Sequence, residues 1–563
     1  MKINLLPQNV NLWPKITLII TAVFLTAALN VPFVLKEIVR GSPIHGANGL
    51  NFDADDNLYI ASVWGREILV MNLLNGQIID RLGTGVGVEG PDDLTFGPDG
   101  SLYWTSIITG EVGRLSPEGS KTGQIIAPGV NPITFSDEGR LFVALDFLGD
   151  GLYELDPDLT DPPRPIIVAT EENPFPLGFL NGFDFGPDGR LYGPLFAAGI
   201  VVSIDVDSCE NTSNPWVDCD IRVVAGGFTV PAAVKFDAQG RLHVVDQSGE
   251  VFRVDTTTGE KTVIATLSPG LDNLAFDSKG NLYISNANDG SVTRVLPSGQ
   301  GRILSEGGMI LPGGVAVISR PHGGESVFVA DFWTLREFNG LTGLPLGFAS
   351  SSLVGEGLVS PSTVSEDGDH LVLSSWVQGA VQVWDPQAGQ VIEHYLMVAP
   401  LNAIRFQDDL VVADLGLGGV VWASTQEMIL GQPDVFVPAG LAANEDTLWV
   451  ADWATGIVWQ VGFDGKTPLP PVPVAFGLVN PEGLALDLDG SLLVVEAGAG
   501  RLSRIDLTTR EVSVLADGLE LGALAIPGGT PPTYQFNGVT VGSSGAIYVT
   551  GDITNFLYRI WPR

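Results

Sequence analysis

Short apolar runs alternate with polar turns along most of the chain, and they recur in one form: an acidic-glycine turn followed at once by a strand-like segment. The clearest copies are GPDGSLYWTS (97–106), DEGRLFVAL (137–145), GPDGRLYGPL (186–195), DAQGRLHVVD (237–246), DSKGNLYISN (277–286) and DLDGSLLVVE (487–496). Weaker copies start at residues 53, 325, 366, 408, 445 and 543. Period-2 patterning excludes helical repeats. Twelve units over residues 46–563 give a period of about 43 residues, that of one four-stranded propeller blade. Each unit reads as an inner strand (GLNF, DLTF), the turn, and three further strands. Rings of four to eight blades are usual, so the pattern predicts an all-β protein of two tandem six-bladed β-propellers, residues 46–308 and 309–563.

The last unit stops at its third strand, FLYRIWPR. A strand from elsewhere would remove the exposed edge. We expect Glu37 to Arg40 to complete the sixth blade and Arg302 to Leu304 the twelfth; the alternative leaves Arg302 to Leu304 in the sixth blade with one edge open.

Residues 1–45 read as an export signal or membrane anchor plus linker. Lys2 and Lys15 precede an apolar stretch, Ile16 to Leu29, that extends brokenly to Leu35, which suits either a cleaved secretory signal or an uncleaved anchor helix. Both put the propellers outside the cytoplasm, with the membrane touched only through this segment. Cys209 and Cys219, ten residues apart in a polar loop, make either a loop disulfide or two free thiols.

Composition narrows the function. The chain carries 28 Lys+Arg against 65 Asp+Glu, a net charge of −37, which repels phosphate backbones and excludes nucleic-acid partners. Seventy glycines in 563 residues follow from turns repeated twelve times. Neither a serine nucleophile elbow nor a phosphate-binding glycine loop occurs.

Inner strands line a propeller's channel, so polar residues where they begin face a common centre. Four residues before the closing Phe52, Phe96, Phe135, Phe185, Phe236 and Phe276 stand Asn48, Asp92, Asn131, Asn181, Ala232 and Asp272. Five of six are oxygen donors, the set that Ca²⁺ or another divalent cation takes; Asn273 and Asp93 stand beside them. Such residues also cap strand entries, so a purely structural ring is the alternative. In the second half the matching positions hold Asn402, Glu482 and Asn537, but also Gly313 and Ala439.

On GVEGPDDLTF, LNGFDF and LDNLAF the sequence resembles the calcium-dependent six-bladed propellers that include gluconolactonase, regucalcin, paraoxonase and strictosidine synthase. The resemblance implies a calcium-dependent lactonase or ester hydrolase acting on a small-molecule lactone or ester. It implies a metal carboxylate from Glu89-Gly90-Pro91 or Asp92, an amide ligand from Asn181-Gly182, and a ligand pair from Asp272-Asn273. Asp93 or Glu89 are the candidate bases. Ala232 stands where the paraoxonase pattern has a ligand Asn, and of that branch's histidine pair only His45 lies near the ring. His243, His322, His370 and His394 read as core or surface residues. The superfamily also holds lyases and NHL-type propellers, so a non-catalytic propeller binding an unknown surface ligand, or a lyase, are the alternatives.

Overall fold

The structure, a computed structural model, describes residues 33–320, 323–351, 357–526 and 531–562; the Ile16 to Leu29 core of the proposed signal or anchor lies outside them, whereas Phe33 to Leu35, read as its extension, belong to a β-strand. Among the described residues no helix is long and apolar enough to cross a membrane.

The described residues form twelve antiparallel sheets, eleven of four strands and one of five; the strands are joined in sequence order except in the twelfth sheet and in the five-stranded one, where Val472–Ala475 pairs with Ile457–Asp464. In the first ring the innermost strands are Leu50–Phe52, Pro91–Phe96, Val130–Phe135, Asp184–Phe185, Pro231–Phe236 and Leu271–Phe276, and the first packs against the sixth to close the circle. In the second ring Val315–Ser319, Thr363–Asp367, Pro400–Phe406, Pro438–Ala443, Pro481–Leu486 and Val539–Val541 do the same.

Closure differs from the sequence expectation in both halves. Phe33–Arg40 pairs with Phe556–Pro562, with Lys36 opposite Arg559 and Arg40 opposite Phe556, and so completes the twelfth blade. Gly301–Ser305 pairs with Val292–Val295 and completes the sixth. The reason is local. Leu296 N donates to Gln300 O and Gly299 N to Leu296 O, both at 2.8 Å, and a hairpin this short closes at far smaller entropic cost than delivery of the strand to another ring. Residues 33–40 are therefore a strand of the second ring rather than linker, and the first ring is inserted between that strand and the rest. The two connecting segments run side by side, with Ser42 N donating to Met309 O at 2.8 Å.

Each gap between neighbouring blades holds its own apolar cluster; Ala61 and Ile68 of the first blade meet Leu94, Leu102 and Trp104 of the second. In the first ring the clusters share one device. The closing phenylalanine of each blade meets, edge-on or tilted, the ring that follows the leucine of the preceding blade's second strand. Tyr59 meets Phe96, Tyr103 meets Phe135, Phe142 meets Phe185, Tyr192 meets Phe236, His243 meets Phe276 and Tyr283 meets Phe52, all with centroids 5.0–5.2 Å apart. His243 thus fills a structural aromatic position. Cys209 and Cys219 are bonded to each other, and Cys209 packs into the cluster between the third and fourth blades.

Phe96→Leu keeps most of the apolar volume and loses the contact with Tyr59, so it is expected to cost about 1 kcal/mol of unfolding free energy; Phe96→Ala adds a cavity and costs about 3 kcal/mol. Denaturant titration measures both. A chain starting at Ser42 is expected to melt several degrees below one starting at Phe33, because the twelfth blade loses its outer strand.

Candidate functional site: the tunnel of the first ring

Ring residues owe their aim to an irregularity. At the start of four inner strands the pairing register shifts, between Pro91 and Leu94, Val130 and Ile133, Pro231 and Ala233, and Leu271 and Leu274. Asp92, Asp93, Asn131, Ala232, Asp272 and Asn273 therefore stand in bulges, which unpair the backbone and re-aim side chains. Asn48 and Asn181 instead precede short inner strands, each followed by a glycine in close approach. A Cβ on Gly49 would lie 2.6 Å from Asp93 Oδ1, and one on Gly182 would lie 2.3 Å from Ala233 Cβ. Hydroxyls stitch the circle together: Thr105 Oγ1 donates to Asn131 O at 2.5 Å, and Ser285 Oγ to Asn48 O at 2.6 Å.

Four carboxyl groups share this space. Burial is the main cause that pushes Asp92 well above its ordinary value, and Asp272, Asp146 and Asp93 add like charge. Asp272 is raised to about 7 by burial and then by Asp93. Asp93 is raised to about 6 by burial; its carboxylate accepts from Leu94 N (2.9 Å), Ile133 N (3.1 Å) and, across the tunnel, Asn273 Nδ2 (3.1 Å). Asn273 and Asp93 thus tie the sixth blade to the second.

Asp146 joins the group without having been singled out in the sequence. Burial holds it well above its ordinary value, and Oδ2 accepts from Asn131 Nδ2 at 2.9 Å. Asn131 Nδ2 also reaches Asn181 Oδ1 at 3.2 Å. A comparison within the chain exposes the signal. Acids that end other second strands clamp the backbone N–H groups of the loop entering the same blade: Asp246 takes Thr229 and Val230, Asp331 takes Ile310 and Leu311, and Asp414 takes Val398 and Ala399. Asp452, Glu496 and Asp552 do likewise. Asp146 makes no such clamp and turns to the tunnel ring instead.

The donor chemistry suits a hard cation. Asn48 Oδ1 is buried without a hydrogen-bond partner among the described residues, as is Asp146 Oδ1, and Asp92 and Asp272 are desolvated beside them. Among the described residues no three His, Cys, Asp or Glu side chains form a metal-holding group by themselves, so amide oxygens must complete any such set. Residues 89–306 match the SMP-30/gluconolactonase/LRE-like region.

That region contains Asp92, Asn131, Asn181 and Asp272, while Asn48 lies outside the matched stretch. No curated protein matches the chain. Among solved structures, virginiamycin B lyase from Staphylococcus aureus is 16% identical with a TM-score of 0.36, covering 53% of this chain and 96% of that one. A protein provisionally assigned as a gluconolactonase is 12% identical, TM-score 0.36, covering 48% and 93%. The extracellular domain of BT4673 from B. thetaiotaomicron is 13% identical, TM-score 0.31, covering 93% and 82%. At these scores the likenesses carry no argument about activity.

Two residues near the tunnel ring are engaged elsewhere. Glu89 is held by Arg66 through Nε (2.5 Å) and Nη2 (2.9 Å), and Arg66 reaches Leu524 O of the second ring at 3.4 Å. His45 Nε2 lies 3.2 Å from Asp552 O, also of the second ring, and burial lowers its pKa. Both serve the seam where Val63, Trp64, Ile107 and Ile108 meet Phe332, Trp333, Ile526 and Tyr534.

The second tunnel is stoppered at the matching end. Phe536 packs there with Leu401 and Ala439. Glu482 accepts from Asn537 N (2.6 Å) and Thr533 Oγ1 (3.2 Å), and Asn537 Oδ1 from Gly522 N (2.9 Å). Asn402, Glu482 and Asn537 line the remaining cavity of about 250 Å³.

Raised carboxyl pKa values carry a definite sign. With cation removed, the native first ring binds more protons than the unfolded chain between about pH 4 and pH 7, so this contribution to stability falls as pH rises through that window. Asp272→Asn is therefore expected to raise the melting temperature of chelator-treated protein at pH 7.5 and to leave it nearly unchanged at pH 4, read by differential scanning calorimetry.

Proposed function

We propose that the first ring is a divalent-cation-dependent hydrolase of small lactones or esters, working outside the cytoplasm. The observation that carries this reading is the convergence of desolvated Asp92 and Asp272 beside the unpartnered Asn48 Oδ1. Asn48, Asp92, Asn181 and Asp272 would hold the cation, calcium by preference because all four are hard oxygen donors. When bound, such an ion supplies Lewis acidity toward a carbonyl oxygen.

The chain's own residues supply the proton traffic. Asp93, raised to about 6, is ionised at neutral pH, and Oδ2 accepts from Ile133 N at 3.1 Å. It accepts the proton of the attacking water there, near the pKa that favours a general base. Asp146, held above its ordinary value by burial, is the candidate acid for the departing alkoxide. Two carboxyl groups whose surroundings hold them at different pKa values divide the base and acid roles. Export is supported by the charged and apolar N-terminal pattern and by the Cys209–Cys219 bond, which belongs to oxidising compartments.

A second reading, a binding propeller without catalysis, is favoured by Ala232, which leaves one ring position without a donor, and by the engagement of Glu89 and His45 at the seam. Turnover separates the two. Purified protein with millimolar calcium and a lactone panel is expected to hydrolyse at least one member, and chelation or the Asp92→Asn/Asp272→Asn double variant to abolish it. Asp93→Asn is expected to lower kcat by about 10²–10⁴ with little change in KM. Turnover that survives chelation and the double variant overturns the cation-dependent mechanism at Asp92 and Asp272, and no turnover at all leaves the binding reading.

A further inference from the structure

The end of the first ring at which the acidic group lies also carries an aromatic surface that the hydrolytic chemistry does not use. Register puts it there. Val130 opposes Leu145, so the turn following Leu145 lies level with Asn131, and Leu180 bridges Leu195, which brings the loop before the fourth blade alongside. Phe147 and Phe175 are 38% and 56% exposed, around half-buried Phe179 and fully covered Phe196. Phe147 stacks on Phe179 with centroids 5.7 Å apart and planes at 17°, meets Phe196 edge-on at 5.3 Å, and Phe175 meets Phe179 edge-on at 5.4 Å.

This surface is held under strain. Phe147 and Phe179 have φ of +53° and +68°, a region costly for bulky side chains that persists where surrounding contacts enforce it and that clusters at functional sites. Asp150 joins the two loops: its carboxylate accepts from Leu177 N at 2.8 Å and Gly178 N at 2.7 Å. The second ring contains the same device. Asp331 is followed by Phe332 with φ of +47°, as Asp146 is by Phe147, but Phe332 is 2% exposed and covered by Trp64 of the first ring at 4.3 Å. One Asp-Phe turn has its apolar partner, and the other faces solvent beside the acidic group.

We propose that Phe147, Phe175 and Phe179, floored by Phe196, form the subsite for an aryl or long alkyl arm on the ester or lactone whose carbonyl lies at Asp92 and Asp272. The inference rests on the hydrolase reading for the place of the carbonyl. Asp146 links the two halves, since its carboxyl belongs to the acidic group and its chain neighbour is Phe147. The exposed patch is a few side chains wide, matching one ring or chain of a small molecule and falling short of the twenty or more residues per side of a stable protein interface.

Non-hydrolysable lactams test the subsite independently of turnover. Titration calorimetry of the full chain with calcium is expected to show phenyl-substituted butyrolactam binding about tenfold tighter than butyrolactam. Phe175→Ser and Phe147→Asn should each erase that preference while leaving butyrolactam affinity unchanged; asparagine tolerates the positive φ. Equal binding of the two lactams, binding of neither, or a preference that survives in both variants overturns the proposal. Lactone turnover without aryl preference removes the subsite and leaves the hydrolase, whereas an aryl preference lost in the variants without any turnover keeps the subsite and removes the hydrolase.

Discussion

The first ring depends on one contact made six times, the meeting of a closing phenylalanine with the aromatic ring of the blade before it. Aromatic quadrupoles favour edge-on and tilted over face-to-face geometry, with about 0.5–1.5 kcal/mol per pair beyond area burial. The centroid spacing stays within 5.0–5.2 Å around the circle, so every inner strand ends at nearly the same distance from the second strand of the blade before it. That regularity brings six strand starts, contributed by residues as distant as Asn48 and Asp272, to one point. Where histidine replaces tyrosine, at residue 243, the spacing is unchanged.

The second ring lacks this aromatic circle and relies more on acids. Asp331, Asp414, Asp452, Glu496 and Asp552 hold the entry loops through backbone N–H groups, which fixes the blades while consuming the carboxylates. Its tunnel mouth is filled by Phe536. Buried acids occur in both rings, but those of the second mostly have backbone partners, whereas Asp92, Asp146 and Asp272 of the first share a space with one another. Mutual repulsion and burial make that arrangement unfavourable for the empty fold, and this is the basis of the proposed cation site.

Much of this was legible in the sequence, and the failures have physical causes. The repeat, the sheet class and the convergence of strand starts follow from the turn pattern and the closing phenylalanines. Strand closure was misread because local hairpin geometry at 296–300 outweighs the apparent need of the last blade. The bulges at Asp92-Asp93 and Asp272-Asn273 leave no mark in hydrophobic patterning, so which acid enters the tunnel and which bolts it together emerges only from register. Asp146 was hidden because it ends a second strand as the clamping acids do, and only the absent clamp distinguishes it. Glu89 belonged to a motif, yet Arg66 and the other ring claim it.

Insertion of the first ring within the second has a consequence for how the chain is made. Phe33–Arg40 leaves the ribosome long before its partner Phe556–Pro562, so the strand must wait through synthesis of the intervening blades with its edge unpaired. A pairing of such sequence separation forms late and slowly, and an unpaired edge invites association with other chains. The first ring has its own closing strand, Gly301–Ser305, and can be complete by then. Once folded, it holds Ser42 through Gly290 O and the segment at Met309 and so keeps the waiting strand close to the blade that it finishes. One ring is the jig on which the other is closed.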